Sequence, residues 1–268
     1  MTPIALSIAG SDPSGGAGIQ ADLKTFHQFG VYGMSVITLL TVQNTCRVSA
    51  VETVAPQLVL DQLDAVLEDL PPQAAKTGAL GSLEIIRAVA GRAARFSFPL
   101  VVDPVMISKH GAPLLHAEAR DALARELLPH AYLVTPNVHE AMALSGKEFR
   151  GEELPRVEIP RSVLEEAARA IAGMGAKAVL ITGGHLVSDA TDLLFAEGRF
   201  ESYAGRRIET RHTHGTGCTF SAAITAELAK GAELTAAIAS AKRFITRAIE
   251  TNPGLGHGYG PVNHFTPA

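Results

Sequence analysis

The chain has no tryptophan, only two cysteines and 5% aromatic residues, and each scarcity excludes something. Cys46 and Cys218 show no metal-ligand spacing around either, so free thiols in a reducing, cytoplasmic setting are expected. Charge is scarce as well, at 19% of residues. The 23 basic and 27 acidic side chains leave a formal charge of −4 with no basic cluster interleaved with aromatics. That balance excludes nucleic acid as the expected partner. No apolar run approaches the ~20 residues of a membrane span, and no basic stretch precedes the first apolar run, so neither a membrane segment nor a secretory leader is expected. A small-molecule ligand is what remains. The 268 residues are 47% hydrophobic, enough for a large core, and no break in composition calls for more than one domain over residues 1–268.

Short apolar runs alternate with helical patterns along the whole chain. Runs at Ile4 to Ala9, Ser35 to Val42, Ala74 to Thr77, Leu100 to Val102, Ala131 to Val134 and Ala178 to Ile181 read as strands. Helical periodicity fills the intervals from Ile19 to Phe29 and near 56–69, 82–95, 115–128, 137–145 and 162–174, with two closing helices near 216–229 and 234–250. Strands without a polar face, separated by helices, predict a mostly parallel sheet covered on both sides. Glu197-Gly198 between Asp192 to Ala196 and Arg199 to Tyr203 predicts an appended hairpin. Arg150 to Pro160, charged and proline-bearing, reads as an exposed loop, and Asn252 to Pro261 as a glycine-rich tail.

Thr213-His214-Gly215-Thr216-Gly217-Cys218-Thr219-Phe220 runs straight into an alanine-rich helix. The backbone N–H groups of Gly215 to Cys218 would then face an anion at a helix N-terminus, which makes this the expected place of phosphate transfer. Cys218 sits where a helix dipole would draw its pKa down from roughly 8.5 towards neutrality, and reads as a general base or as a small buried hydrophobe. Polar residues collect at the other strand ends: Gln43-Asn44, Lys76, Asp103-Pro104, Thr135-Pro136-Asn137 with Glu140, and Thr182-Gly183-Gly184-His185. Ligands of open α/β sheets bind along that edge. Asp103, Asn137 and Glu140 are oxygen donors of the kind Mg²⁺ takes, and Lys109, on a loop from Ile107 to Pro113, would reach the phosphates. Asp12 and Asp22, in and after the glycine-rich loop Gly10 to Gly18, either face a hydroxylated substrate or, for Asp12, cap the turn. Gln43 can pair in both directions with a heteroaromatic edge. Arg211-His212-Thr213-His214 reads as hydrogen-bonded or solvated histidine rather than metal.

Together these segments resemble the hydroxymethylpyrimidine/hydroxymethylpyrimidine-phosphate kinases of thiamine biosynthesis, within the ribokinase-like superfamily. The resemblance runs through Ala9 to Asp22, Gln43-Asn44-Thr45, Lys76-Thr77-Gly78, Asp103-Pro104-Val105-Met106, Thr135 to Asn137 with Glu140, Gly183-Gly184-His185 and His214 to Phe220. It implies a three-layer α/β/α fold, usually in a homodimer, and transfer from ATP-Mg²⁺ first to the alcohol of 4-amino-5-hydroxymethyl-2-methylpyrimidine and then to its monophosphate. By position it implies that Asp22 and Gln43 bind the pyrimidine, with Gly10 and Ala17 in the pocket. Gly215, Thr216, Gly217 and Cys218 would form the anion hole and base. Asn137, Thr182, Gly184 and Lys242 would lie on the nucleotide side, with Asp103 and Glu140 towards the metal. Ala79 departs from the family's methionine and widens the pocket, which leaves a pyridoxal kinase of the same cysteine-bearing type as the alternative. A non-catalytic pyrimidine or nucleotide sensor is the reading from another class.

Overall fold

The computed structural model describes residues 2–107, 115, 117–147, 158–186 and 189–268. The apolar runs become strands because nearly every residue in them has a buried face to fill: β1 (Ile4–Ser11), β2 (Tyr32–Gln43), β3 (Val48–Thr53), β4 (Ala74–Thr77), β5 (Leu100–Val102), β6 (Leu133–Val134), β7 (Ala178–Ile181), β8 (Asp192–Ala196) and β9 (Arg199–Tyr203). Among the described residues they form one sheet in the order β3-β2-β1-β4-β5-β6-β7-β8-β9. The six strands from β2 to β7 in that order run parallel, while β3 at one edge and the β8–β9 hairpin at the other run antiparallel.

Alternation along each strand splits the core in two. Leu6, Ile8, Val102, Val179 and Ile181 face one side, under α2 (Pro56–Asp69), α3 (Leu83–Ala93), α4 (Ala117–Ala122), α5 (Val138–Leu144) and α6 (Arg161–Ala172). Ala5, Ala74, Val101 and Leu180 face the other, under α1 (Gly18–Gln28), α7 (Thr216–Ala229) and α8 (Leu234–Glu250). Helix α7 is apolar all round because it is walled on every side, by the sheet, α1 and α8. Its alanines let those neighbours approach closely, so its N-terminus is held without a flexible joint. Phe26, fully buried on the same side, would cost about 3–5 kcal/mol if cut to alanine.

Two elements differ from the sequence reading. Strand β3 is not legible as a strand because it is an exposed edge with no buried face to impose alternation. The helix expected over 115–128 is α4 followed by a π turn, Leu123–Leu127, and a 3₁₀ turn, Leu128–His130, where Pro129 cannot continue the ladder. The loop expected from Arg150 to Pro160 falls largely outside the described residues.

Candidate active site

The parallel strands end on one edge, and there a cleft of about 1190 Å³ opens between the Gly10 to Gly18 loop, the strand ends and the start of α7. That volume accommodates a nucleotide and a second small molecule together. The start of α7 has no side-chain cap. Gly215 takes the N-cap position at φ 79° and no side chain bonds the first turn. Among the described residues the N–H groups of Gly217 and Cys218 therefore have no acceptor. Two free donors at the positive end of a helix make an anion site. Only glycine fits at 215, since a β-carbon there would lie 1.8 Å from the Gly16 carbonyl oxygen. Thr216 turns its hydroxyl back onto the Thr213 carbonyl at 2.7 Å, which leaves the loop's backbone as the binding element.

Cys218 faces the cleft, and the Gly18 N–H points at its thiol. The expected fall in its pKa does not occur. Burial pushes the thiol up to about 12, with Asp22 and Asp103 adding to the rise and Lys76 opposing it. Loss of hydration outweighs the helix dipole here.

Asp12 folds back into its own loop instead of meeting a substrate. Its carboxylate accepts from Ser14 N–H at 2.8 Å, Ala17 N–H at 2.9 Å and Gly16 N–H at 3.2 Å. Nε2 of His214 lies 2.7 Å from Asp12 Oδ2 and 3.2 Å from Nε2 of the Gln43 amide. Although burial opposes it, the His214 and Ser14 bonds bring Asp12 below the usual carboxylate range, so it is ionised and can only accept. The imidazole proton must then sit on Nε2. An amide NH2 cannot pair with that N–H, so hydrogen bonding requires the Gln43 amide turned over from the orientation in the structure, with its oxygen towards His214 and its NH2 towards the cleft. The oxygen's second lone pair stays available. Gly10, Ala17 and Ala79 line the same end of the cleft.

On the other side, Asn137 and Glu140 form a reciprocal capping box at α5, with Glu140 N–H to Asn137 at 3.0 Å and Asn137 N–H to Glu140 at 2.8 Å. Burial and the nearby Asp103 push Glu140 up to about 8, and burial pushes Asp103 up to about 6. Two buried carboxylates, one of them raised by the other, call for a cation. The Thr135 hydroxyl, also on the cleft wall, is buried without a partner among the described residues. Among the described residues no third acidic, histidine or cysteine side chain joins them. Such a set of two carboxylates, with phosphate oxygens and waters completing the shell, fits Mg²⁺.

Other expected site residues lie elsewhere. Asp22 is fully buried beneath the cleft floor, 2.8 Å from Lys76 Nζ and bonded by the Ser7 hydroxyl at 2.6 Å, so it has no free edge for a substrate. Lys242 is tied back to Asp192 at 2.7 Å, and Asp192 in turn accepts from Gly183 N–H at 2.9 Å. It therefore reaches the nucleotide-side turn only through that relay. Thr182 is on the cleft wall, whereas Gly184 is exposed and does not line the cleft. Lys109 lies outside the described residues. Sequence reasoning overlooked His139, which stacks edge-on against His185 on the wall, and the tail, which was read only as glycine-rich. Gly258 N–H and Tyr259 N–H bond Thr45, His214 N–H bonds Gly260, and His264 lies 3.0 Å from the Thr219 hydroxyl. The tail thus straps the Gln43 side of the cleft to the anion loop.

The model of one family, phosphomethylpyrimidine kinase, matches residues 12–263. The chain belongs to that family. It is 50% identical over 268 residues to the hydroxymethylpyrimidine/phosphomethylpyrimidine kinase of Rhizobium meliloti, covering 99% of this chain and 98% of that one. It is 49% identical over 265 residues to the thiamine biosynthesis bifunctional protein ThiED of Geobacter sulfurreducens, covering 98% of this chain but spanning only 52% of that protein. Among solved structures, the ADP complex of Bacillus subtilis pyridoxal kinase superposes with a TM-score of 0.87 at 40% identity, covering 98% of each chain. The fold is thus the ribokinase-like α/β fold of these kinases.

Proposed function

We propose that this chain is an ATP-dependent kinase that phosphorylates 4-amino-5-hydroxymethyl-2-methylpyrimidine at its alcohol and then phosphorylates the monophosphate to the diphosphate. Kinship with named kinases of that activity supports the chemistry. The observation that carries the substrate is Gln43. With its NH2 turned to the cleft and one lone pair of its oxygen free, it can donate to a ring nitrogen and accept from the exocyclic amine of an aminopyrimidine. Pyridoxal offers no such edge.

The residues present then divide the work. The N–H groups of Gly217 and Cys218 hold the transferring phosphoryl group, Cys218 holds the acceptor hydroxyl in line, and Asn137 and Thr182 border the nucleotide. Asp103 and Glu140 would hold Mg²⁺, which when bound supplies charge neutralisation on the phosphates. A thiol pushed up to about 12 is protonated at neutral pH and cannot act as a base, so its part in the first transfer is to orient the acceptor hydroxyl, whose proton leaves late in a loose transition state.

Dimerisation through the β2–β3 edge belongs to the same reading, supported by exposed Leu40, Val42 and Val51 on that hairpin. Cytoplasmic residence does too, in keeping with two free thiols. The substrate assignment is tested by competition, measuring kcat/KM for the pyrimidine and for pyridoxal with ATP-Mg²⁺. A ratio well above tenfold for the pyrimidine is expected, as for sites built around a substrate's hydrogen bonds. A ratio near or below one would favour the pyridoxal reading.

A further inference from the structure

The structure assigns Lys76, together with Asp22, a positioning role in phosphoryl transfer: an ammonium locked beneath the cleft that holds the first turn of α7 in place. Ser7 of β1 and Lys76 of β4 are direct register partners, and both turn to the face covered by α1 and α7. Asp22 of α1 comes down on the two of them, accepting from the Ser7 hydroxyl at 2.6 Å and from Lys76 Nζ at 2.8 Å. Both ionic side chains are fully buried.

The ammonium has further reach. Its Nζ lies 3.5 Å from the Cys218 carbonyl oxygen and 4.0 Å from Asp103 Oδ2. Asp103 is itself bonded by the Ser221 hydroxyl at 3.1 Å, one turn along α7, and Ser221 also returns to the Gly217 carbonyl at 3.0 Å. One fixed positive charge therefore ties together α1, the end of β5 and the turn of α7 that carries the free N–H donors.

Stability alone gives little reason for this arrangement. A buried ion pair recovers its desolvation cost poorly, and an apolar pair of the same volume often serves the fold as well or better. The pair's location supplies another reason. It lies directly under Cys218 and beside Asp103, where two cleft carboxylates and incoming phosphates gather negative charge. A cation below the floor offsets that charge without occupying the cleft, and its bond to the Cys218 carbonyl fixes the pitch of the helix start. Displacing catalytic groups by ~1 Å costs up to ~10²-fold in rate, which sets the scale of the expected effect.

The assignment rests on the anion-loop reading, and two variants separate it from a substrate role for Asp22 and from a merely structural one. Asp22→Asn keeps the shape and weakens the clamp. The double variant Asp22→Asn/Lys76→Met removes both charges, so no lone buried ion endangers folding. Steady-state kcat and KM for the pyrimidine and for ATP-Mg²⁺ are measured for both and for the unchanged chain, with melting temperatures alongside. The unchanged chain's own activity tests the loop reading separately. Expected is a fall in kcat of roughly 10- to 100-fold with both KM values within about threefold, in proteins that melt near the wild-type temperature. A kcat within about threefold of wild type in either folded variant overturns the assignment, as does a rise in the pyrimidine KM with kcat kept, which would make Asp22 a substrate ligand.

Discussion

A single methyl group added at Gly215 should disable phosphoryl transfer while leaving the fold standing. Gly215 has φ 79°, where an L side chain costs roughly 1–2 kcal/mol. Its new β-carbon would lie 1.8 Å from the carbonyl oxygen of Gly16 and 2.8 Å from the carbonyl carbon. Neither is the end of a flexible side chain, so the two loops must part by on the order of 1.5 Å to restore ordinary contact. The Gly217 and Cys218 N–H donors move with the 215 loop. Each preorganised donor at a developing charge is worth about 10²–10³ in kcat, so Gly215→Ala should lower the single-turnover rate at saturating ATP-Mg²⁺ by at least roughly 100-fold. The backbone cost alone should lower Tm by roughly 2–8 °C in a chain of this size. Rapid quench for the rate and circular dichroism for the melt give both numbers. A rate within threefold of wild type would refute the placement of the transferring group at this helix end.

Cys218→Ala should cost up to roughly 10²-fold in the first phosphorylation, because it removes the group that orients the alcohol, and under fivefold in the second, whose phosphate acceptor is already ionised near neutrality. Equal losses in the two steps, each timed from its own substrate, would contradict a role in orienting the alcohol. Lys242→Ala should raise the KM for ATP more than it lowers kcat, because it loosens Asp192 and the Gly183 turn without touching the acceptor; an unchanged KM would break the relay. Ala79→Met should alter the pyrimidine KM more than kcat, since it reshapes the wall without changing charge, and a large loss of kcat alone would misplace the residue. His264 is held down to about 4, chiefly by burial and then by Lys24 and His214. The unfolded chain takes up that proton near 6.5, so stability rises with pH between about 4 and 6.5, by up to about 3 kcal/mol. In His264→Gln the acid limb of the Tm–pH curve should flatten; a curve unchanged from wild type would show that this proton does not matter.

The elements with two buried faces were the legible ones. Ala74–Thr77, Leu100–Val102 and Ala178–Ile181 carry nothing but core and active-edge residues, so composition alone marked them; α2 and α8 announced themselves by periodicity over three or more turns, and α7 by its long alanine-rich apolar run. Strand β3 carried no such mark, because its partner on the sheet is its only reason to be extended. In the site, residues whose backbone does the work were readable: Gly215 to Cys218 is a loop-to-helix junction in any reading of the sequence. Residues whose role depends on which neighbour the fold supplies were not. Asp22 looked like a substrate carboxylate until Lys76 and Ser7 closed around it, and Lys242 looked like a nucleotide contact until Asp192 claimed its ammonium. The thiol of Cys218 shows the same limit, since a helix dipole is visible in sequence and the depth of burial that overrides it is not.

The most direct test of the central claim follows the acceptor through both transfers. The purified chain is incubated with ATP-Mg²⁺ and 4-amino-5-hydroxymethyl-2-methylpyrimidine, and phosphorus NMR with mass analysis tracks the products over time. A monophosphate should rise and then fall as the diphosphate replaces it, with two ATP consumed for each pyrimidine. ATP left unspent, or a monophosphate that accumulates without passing on to the diphosphate, would contradict that claim.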